Sequence, residues 1–172
     1  MAGEAQLMRE SLEDGWRALT RIEESIRLAD TKAGFVLAGT GILGSLAVRV
    51  LPADSRWSGH PWQAGFALAG LVLVCAAGLV ALWVFSPQRT PWPPGSILYF
   101  EHIAERYHSP AAFGADLLPV LDDPERLLRE LADQIWAISG ISRRKHHRVR
   151  LAIAGLGVAL LLTGVAAVLS RT

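Results

Sequence analysis

AGFALAGLVLVCAAGLVALWVF, from Ala64 to Phe85, contains no charged residue, and neither does LAIAGLGVALLLTGVAAVLS, from Leu151 to Ser170. A helix rises about 1.5 Å per residue, so each stretch is long enough to cross a hydrocarbon core of about 30 Å. A third apolar stretch, Ala33 to Leu51, is interrupted only by Arg49. Arg49 stands near the end of that stretch, where its aliphatic stem lets the guanidinium reach the headgroups. The chain therefore reads as an all-α integral membrane protein with spans at 33–51, 64–86 and 149–169. More than a third of its length is spent in lipid, and no large soluble catalytic domain fits in the remainder. An enzyme is not expected.

The composition agrees with this reading. The chain has 172 residues, 51% of them hydrophobic, and a net charge of +1, which excludes a nucleic-acid binder by bulk charge. The basic residues are unevenly placed. Arg9, Arg17, Arg21, Arg27 and Lys32 precede the first span, and Arg143, Arg144, Lys145, Arg148 and Arg150 crowd the entrance to the third. Both clusters are expected in the cytoplasm. The short loop 52–63 holds one basic residue, Arg56, with Trp57 and Trp62 as interfacial anchors, and is expected outside. The amino terminus and segment 87–148 then share the cytoplasm, and 170–172 emerge on the far side. Glu4, Glu10, Glu13, Asp14, Glu23, Glu24 and Asp30 all precede the first apolar run. That is unlike a basic cleaved leader, so the amino-terminal segment is expected to be retained. Cys75 is the single cysteine and lies mid-span, so neither a disulfide nor a thiolate metal site is expected.

Segment 1–32 places Leu12, Trp16, Leu19, Ile22, Ile26 and Ala29 at steps of three and four, with charges between them. This predicts an amphipathic helix that needs a partner. No proline separates it from the first span, so one helix is expected to run through both, with Gly15 and Gly34 as weak points. Pro87, Pro91, Pro93 and Pro94 stop the second span, with Trp92 at the membrane surface. Ser96 is a candidate cap for a helix whose buried side reads Ile97, Phe100, Ile103 and Tyr107. Ser109 with Pro110 opens a short one through Phe113 and Leu117, limited by Pro119. Asp123 with Pro124 starts a third, and Leu127, Leu128, Leu131, Ile135, Ile138 and Ile141 keep helical spacing without a stop. A single helix from Pro124 to Leu169, on the order of 70 Å, is expected. Its first half should pack on the amino-terminal helix in a cytoplasmic bundle.

His102 and His108 fall on different faces of a helix, and His146 and His147 are adjacent, so neither pair has helical metal-site spacing. The glycines at 39, 41 and 44 lie in apolar sequence and resemble no phosphate loop. Gly41 with Ser45, Gly65 with Ala69 and Gly155 with Ala159 are small residues four apart that allow close approach of spans.

At the end of the amphipathic helix, Ile26-Arg27-Leu28-Ala29-Asp30-Thr31-Lys32-Ala33-Gly34 places an acid and a base two residues apart at the membrane lip. It resembles the Ala-Asp-x-Lys-Ala-Gly signature that opens the first span of the Pycsar membrane effectors of bacterial anti-phage defence. Leu98-Tyr99-Phe100-Glu101-His102-Ile103-Ala104 is similar to that family's Tyr-Phe motif. Asp133-Gln134-Ile135-Trp136-Ala137-Ile138-Ser139, with Lys145, resembles its Gln-Ile-x-x-Leu-Ser helix, from which Ile138 and Gly140 depart. The resemblance runs from about Gly15 to Val168.

The resemblance implies a multi-pass protein of the bacterial inner membrane that acts in antiviral defence by abortive infection. It responds to cyclic CMP or cyclic UMP, made by a partner pyrimidine nucleotide cyclase, and impairs the inner membrane. A homo-oligomer is expected on separate, physical grounds, since three spans enclose no path wide enough to depolarise a cell. No cofactor and no nucleic acid is implied; membrane lipid is the other partner. A cyclic nucleotide needs a cation for its phosphate, a wall for its base and polar groups for the base edge. Lys32, Arg144 and Lys145 are candidates for the phosphate. Tyr99, Phe100, Tyr107 and Trp136 are candidates for stacking, and Asp30, Asp133 and Gln134 for the base edge. Each has a structural alternative. Asp30 with Lys32 or Lys145 is also what an ion-pair network tying two helices would use, and the 143–150 cluster is also a topology signal that contacts anionic lipid. The alternative function is a constitutive membrane scaffold or assembly subunit that binds a protein partner through the bundle.

Overall fold

The computed structural model of the chain describes residues 2–51, 61–86, 97, 103 and 105–170. The described residues form four helices and no strand: α1 (Ala2–Val50), α2 (Pro61–Val84), α3 (Pro110–Leu121) and α4 (Pro124–Leu169). α1, α2 and α4 are long and apolar enough to cross a membrane.

The two long helices arise as their caps and uninterrupted patterns predict. α1 runs 49 residues through both Gly15 and Gly34. α4 starts where the Asp123 carboxylate accepts from the Glu125 and Arg126 amides, both at 3.1 Å, and continues for 46 residues. Ser109, in extended conformation, caps α3 by accepting from Ala112 N at 3.2 Å, with Pro110 in the first turn. Two boundaries differ from expectation. α3 continues past Pro119 to Leu121, a proline costing little in the last turn of so short a helix when one carbonyl can go without its helical donor. α2 begins at Pro61, three residues ahead of the uncharged stretch, because proline suits a first turn. The cap at Ser96, the prolines at 87, 91, 93 and 94, and Arg56, Trp57, Trp92, Tyr99, Phe100 and His102 lie outside the described residues.

Two compact units form. One comprises Met1–Ile26 with Gln88–Arg143, the other Arg27–Pro87 with Arg144–Thr172, and α1 and α4 contribute to both. In the first, Ile97, Val120 and Leu127 form a cluster flanked by Leu12, Tyr107, Phe113 and Leu117. Leu131, 0% exposed, packs on Gly15, where the missing side chain lets α4 approach α1. That contact centres the buried stripe on Leu12, Gly15 and Leu19 and leaves Trp16 at its edge, 44% exposed, rather than inside it.

The second unit is built on small residues. Ala29 and Ala33 meet Val84 and Val149; Val36, Ala81 and Ala152 form the next layer; Leu43, Val74 and Ala159 the one after. This register makes α2 antiparallel to both α1 and α4. Between apolar helices in lipid, attraction comes from packing rather than water exclusion, so close backbone approach is what matters. A Cβ added at Gly70 would lie 2.8 Å from Thr163 Oγ1 and 3.3 Å from the Thr163 amide nitrogen; at Gly155 it would lie 3.4 Å from Ala77 Cβ. Of the small pairs, Gly155 with Ala159 serves this inner contact, whereas Gly41, Ser45, Gly65 and Ala69 are turned outward or toward the rim. Phe35, Ile42, Leu79, Leu161 and Val168 are exposed, as a lipid-facing rim requires. Cys75 is also on that exposed face.

Candidate functional site

Two polar constellations stand out, one in each unit. In the second unit Lys145 Nζ donates to both carboxylate oxygens of Asp30, at 2.6 and 2.9 Å. The lysine side chain is 13% exposed and the aspartate 33%. One turn away lies the alanine layer of Ala29 and Ala33, whose small side chains bring α1 and α4 near enough for the pair to close. Arg148 caps α2 from beside it, donating to the Trp83 carbonyl at 3.1 Å with its guanidinium 4.5 Å from the Trp83 ring centroid.

A half-buried pair of this kind is costly to break on one side, because the remaining charge keeps its desolvation without its partner. Lys145→Met is expected to destabilise the second unit by about 1–3 kcal/mol, with Lys145→Arg retaining most of the contact. Denaturation of the protein in mixed micelles, followed by helical circular dichroism, measures this. A loss indistinguishable from zero would mean solvent screens the pair as it does surface ion pairs.

In the first unit a cavity of about 210 Å³ opens among Ile97, Arg106, Tyr107, Asp116, Arg126 and Glu130, with Ala115 and Pro119 completing its wall. The local sequence places them: the Ser109 cap turns the chain so that Tyr107 faces α3, and the Asp123 cap sets Arg126 and Glu130 one turn apart on α4. Tyr107 donates its phenol proton to Asp116 Oδ2 at 2.8 Å, and Arg106 Nη2 lies 3.7 Å from the same oxygen. The Arg106 guanidinium is 5.5 Å from the Tyr107 ring centroid, and that ring meets Phe113 edge-on at 5.3 Å. The Ile97 amide donates to Glu130 Oε2 at 3.4 Å. Partial burial, and then the hydrogen bond to Asp116, push the Tyr107 phenol above its usual range, the nearby Arg106 charge working the other way. Among the described residues the Arg126 guanidinium has no carboxylate partner.

Of the residues singled out in the sequence, Asp30 and Lys145 are brought together and Tyr107 lines the cavity. Lys32 is exposed, Asp133 is exposed, and Arg144 is exposed with a partner of its own. Gln134 is half-buried, and its Oε1 is buried without a hydrogen-bond partner. Trp136 is 70% exposed. Tyr99 and Phe100 lie outside the described residues. Sequence reasoning missed Arg106, Asp116, Arg126 and Glu130. The signal available for two of them was the four-residue spacing of Arg126 and Glu130 just inside a capped helix start. Among the described residues no group of three or more His, Cys, Asp or Glu side chains is placed to hold a metal ion.

The family described as Pycsar effector protein domain matches residues 14–170. A Pycsar effector protein of Micromonospora echinofusca, MePycTM, is 47% identical over 49 residues, a match covering 28% of this chain and 83% of that protein. No solved structure matches the chain significantly.

Proposed function

The chain belongs to the Pycsar effector protein domain family, and from that premise we propose that it is a multi-pass inner-membrane effector of bacterial anti-phage defence, triggered by cyclic CMP or cyclic UMP. The observation that carries this reading is the family match over nearly the whole length of a chain with three helices long and apolar enough to cross a membrane. The basic cluster from Arg143 to Arg150, where α4 turns apolar, favours a cytoplasmic location for the first unit and the amino terminus. A messenger made in the cytoplasm by a partner cyclase would reach it there.

The trigger works as a population shift: the nucleotide binds one arrangement of the first unit more tightly than another, and only that difference in affinity can move the equilibrium. α1 and α4 each run without a break from that unit into the spans. Among the described residues the interior of the second unit is filled by packed layers of alanine, valine and leucine, so the lesion is taken to form between copies or by separating the packed helices. Membrane lipid and further copies of the chain are then its partners, and no catalytic step is involved.

The test is membrane potential, read with a voltage-sensitive dye in bacteria carrying the protein with and without a pyrimidine nucleotide cyclase. Depolarisation only when the cyclase is active supports the reading. Depolarisation without it points to an unregulated toxin, and no response in either case favours the scaffold.

A further inference from the structure

Each of the three long helices buries one polar side chain inside the second unit: Thr40 on α1, Gln63 on α2 and Thr163 on α4, exposed by 7, 8 and 5%. Inside a membrane a polar group is tolerated when it is hydrogen-bonded. Thr40 meets that condition, its hydroxyl donating to the Leu37 carbonyl at 2.7 Å. Gln63 meets it poorly, because its amide reaches the Val50 carbonyl only at 3.5 Å, the outer limit of such a bond. Thr163 does not meet it: among the described residues its hydroxyl has no partner.

The packing holds that hydroxyl against bare backbone. A Cβ added at Gly70 would stand 2.8 Å from Thr163 Oγ1 and 3.5 Å from the Ala159 carbonyl oxygen, and one added at Gly78 would stand 3.3 Å from Thr40 Oγ1. α2 thus covers the hydroxyls of α1 and α4 with glycines and offers neither of them a side-chain partner. A contact that only had to stay closed would be better served by valine at 163, which has the same shape and no group to desolvate.

The outward faces are different. Phe35, Ile42, Leu79 and Leu161 are exposed and apolar, and the Ser45 hydroxyl is satisfied within its own helix by the Ile42 carbonyl at 2.7 Å. A path walled by those faces would set large apolar side chains against water, which favours dewetting over conduction, and would leave Thr40, Gln63 and Thr163 dry. A path walled by the inward faces hydrates all three and keeps the outward faces in lipid.

We propose that the lesion opens by parting α2 from α1 and α4, so that the faces carrying Thr40, Gln63 and Thr163 become the wall of a water-filled path that neighbouring copies complete. This rests on the reading of the chain as a triggered membrane effector. The closed arrangement carries the desolvation of the Thr163 hydroxyl and the parted one relieves it, which narrows the gap that the messenger's differential affinity has to bridge.

The test is thiol accessibility in spheroplasts carrying the full-length protein, with and without an active pyrimidine nucleotide cyclase. A charged, membrane-impermeant methanethiosulfonate is the probe, and membrane potential is recorded alongside. Cys75→Ser first removes the native thiol. Single cysteines are then placed inward, as Thr163→Cys or Thr40→Cys, and outward, as Leu161→Cys or Leu79→Cys. When the potential falls, the inward positions are expected to react at least tenfold faster than at rest, with the outward ones unchanged. Should Thr163→Cys fail to insert, Thr40→Cys reads the same face from another helix. Thr163→Val should raise the unfolding temperature and slow triggered depolarisation at an unchanged amount in the membrane. Depolarisation with faster reaction at the outward positions alone, or at none, overturns the proposal and leaves the functional reading standing. A Thr163→Val protein that is no more stable and responds like wild type overturns the part given to the hydroxyl. Absence of depolarisation in the wild-type protein with the cyclase active overturns the functional reading itself.

Discussion

An Ile141→Pro protein is expected to insert into the membrane normally and to lose messenger-triggered killing. Residue 141 lies within α4, in the last turn that belongs to the first unit, which ends at Arg143, just before the helix continues into the second. Proline there removes the amide that would bond the Ala137 carbonyl and drives its ring into the preceding turn, at a cost of about 3 kcal/mol or more in a helix interior. Ala137 is itself buried, so the distortion cannot be absorbed at a free surface. Insertion depends on the apolar stretch from Leu151 onward and should be untouched. The expected result is wild-type amounts in the membrane fraction with no loss of membrane potential when the cyclase is induced. Ile141→Ala, which keeps the backbone bond, should retain most of the response. An inserted Ile141→Pro protein that still kills on induction would show that α4 does not carry the signal.

Leu131→Ala should produce the largest stability loss in the first unit, about 2–5 kcal/mol, in the range for truncating a fully buried leucine. Leu131 has no exposed surface, and its δ carbon occupies the space that a side chain at position 15 would need. Truncation opens a void directly against Gly15, where α1 has nothing to fill it. Adding bulk opposite is then expected to compensate: Gly15→Ala should destabilise the wild-type protein, yet stabilise the Leu131→Ala background. Thermal unfolding of the four proteins, read as a double-mutant cycle, gives the coupling. Additive effects would mean the two positions do not share one packing site.

The two kinds of prediction rest on information of different origin. Helix continuity was legible because its determinants are local. Asp123 and Pro124 announce the start of α4, no proline or cap interrupts the pattern afterwards, and the helix ends at Leu169 as expected. The same holds for α1, where a strong enough run of helix formers carries the chain through two glycines. Motif resemblance located the family, because a short signature such as Ala29-Asp30-Thr31-Lys32-Ala33-Gly34 survives as a string. The choice of partner for Asp30 was not legible. Lys32 is two residues away and Lys145 is 115 away, yet two residues apart on a helix point to different faces, and only packing could bring Lys145 to the acid.

From the sequence alone came the class of the protein, its three spans, its two long helices and its family. Each of these depends on hydropathy, caps or motif strings that are written within a few turns of chain. Tertiary structure alone decided which faces of the spans meet. A helix such as α2 is apolar all round and has no polar side to mark its outside, so nothing in Ala64 to Phe85 distinguishes Gly70, packed on Thr163, from Leu79, exposed at the rim. Tertiary structure also assembled the cavity, whose side chains come from a turn, α3 and the start of α4. Their nearness follows from burying Ile97, Val120 and Leu127 together, a requirement of the whole unit that no single segment expresses.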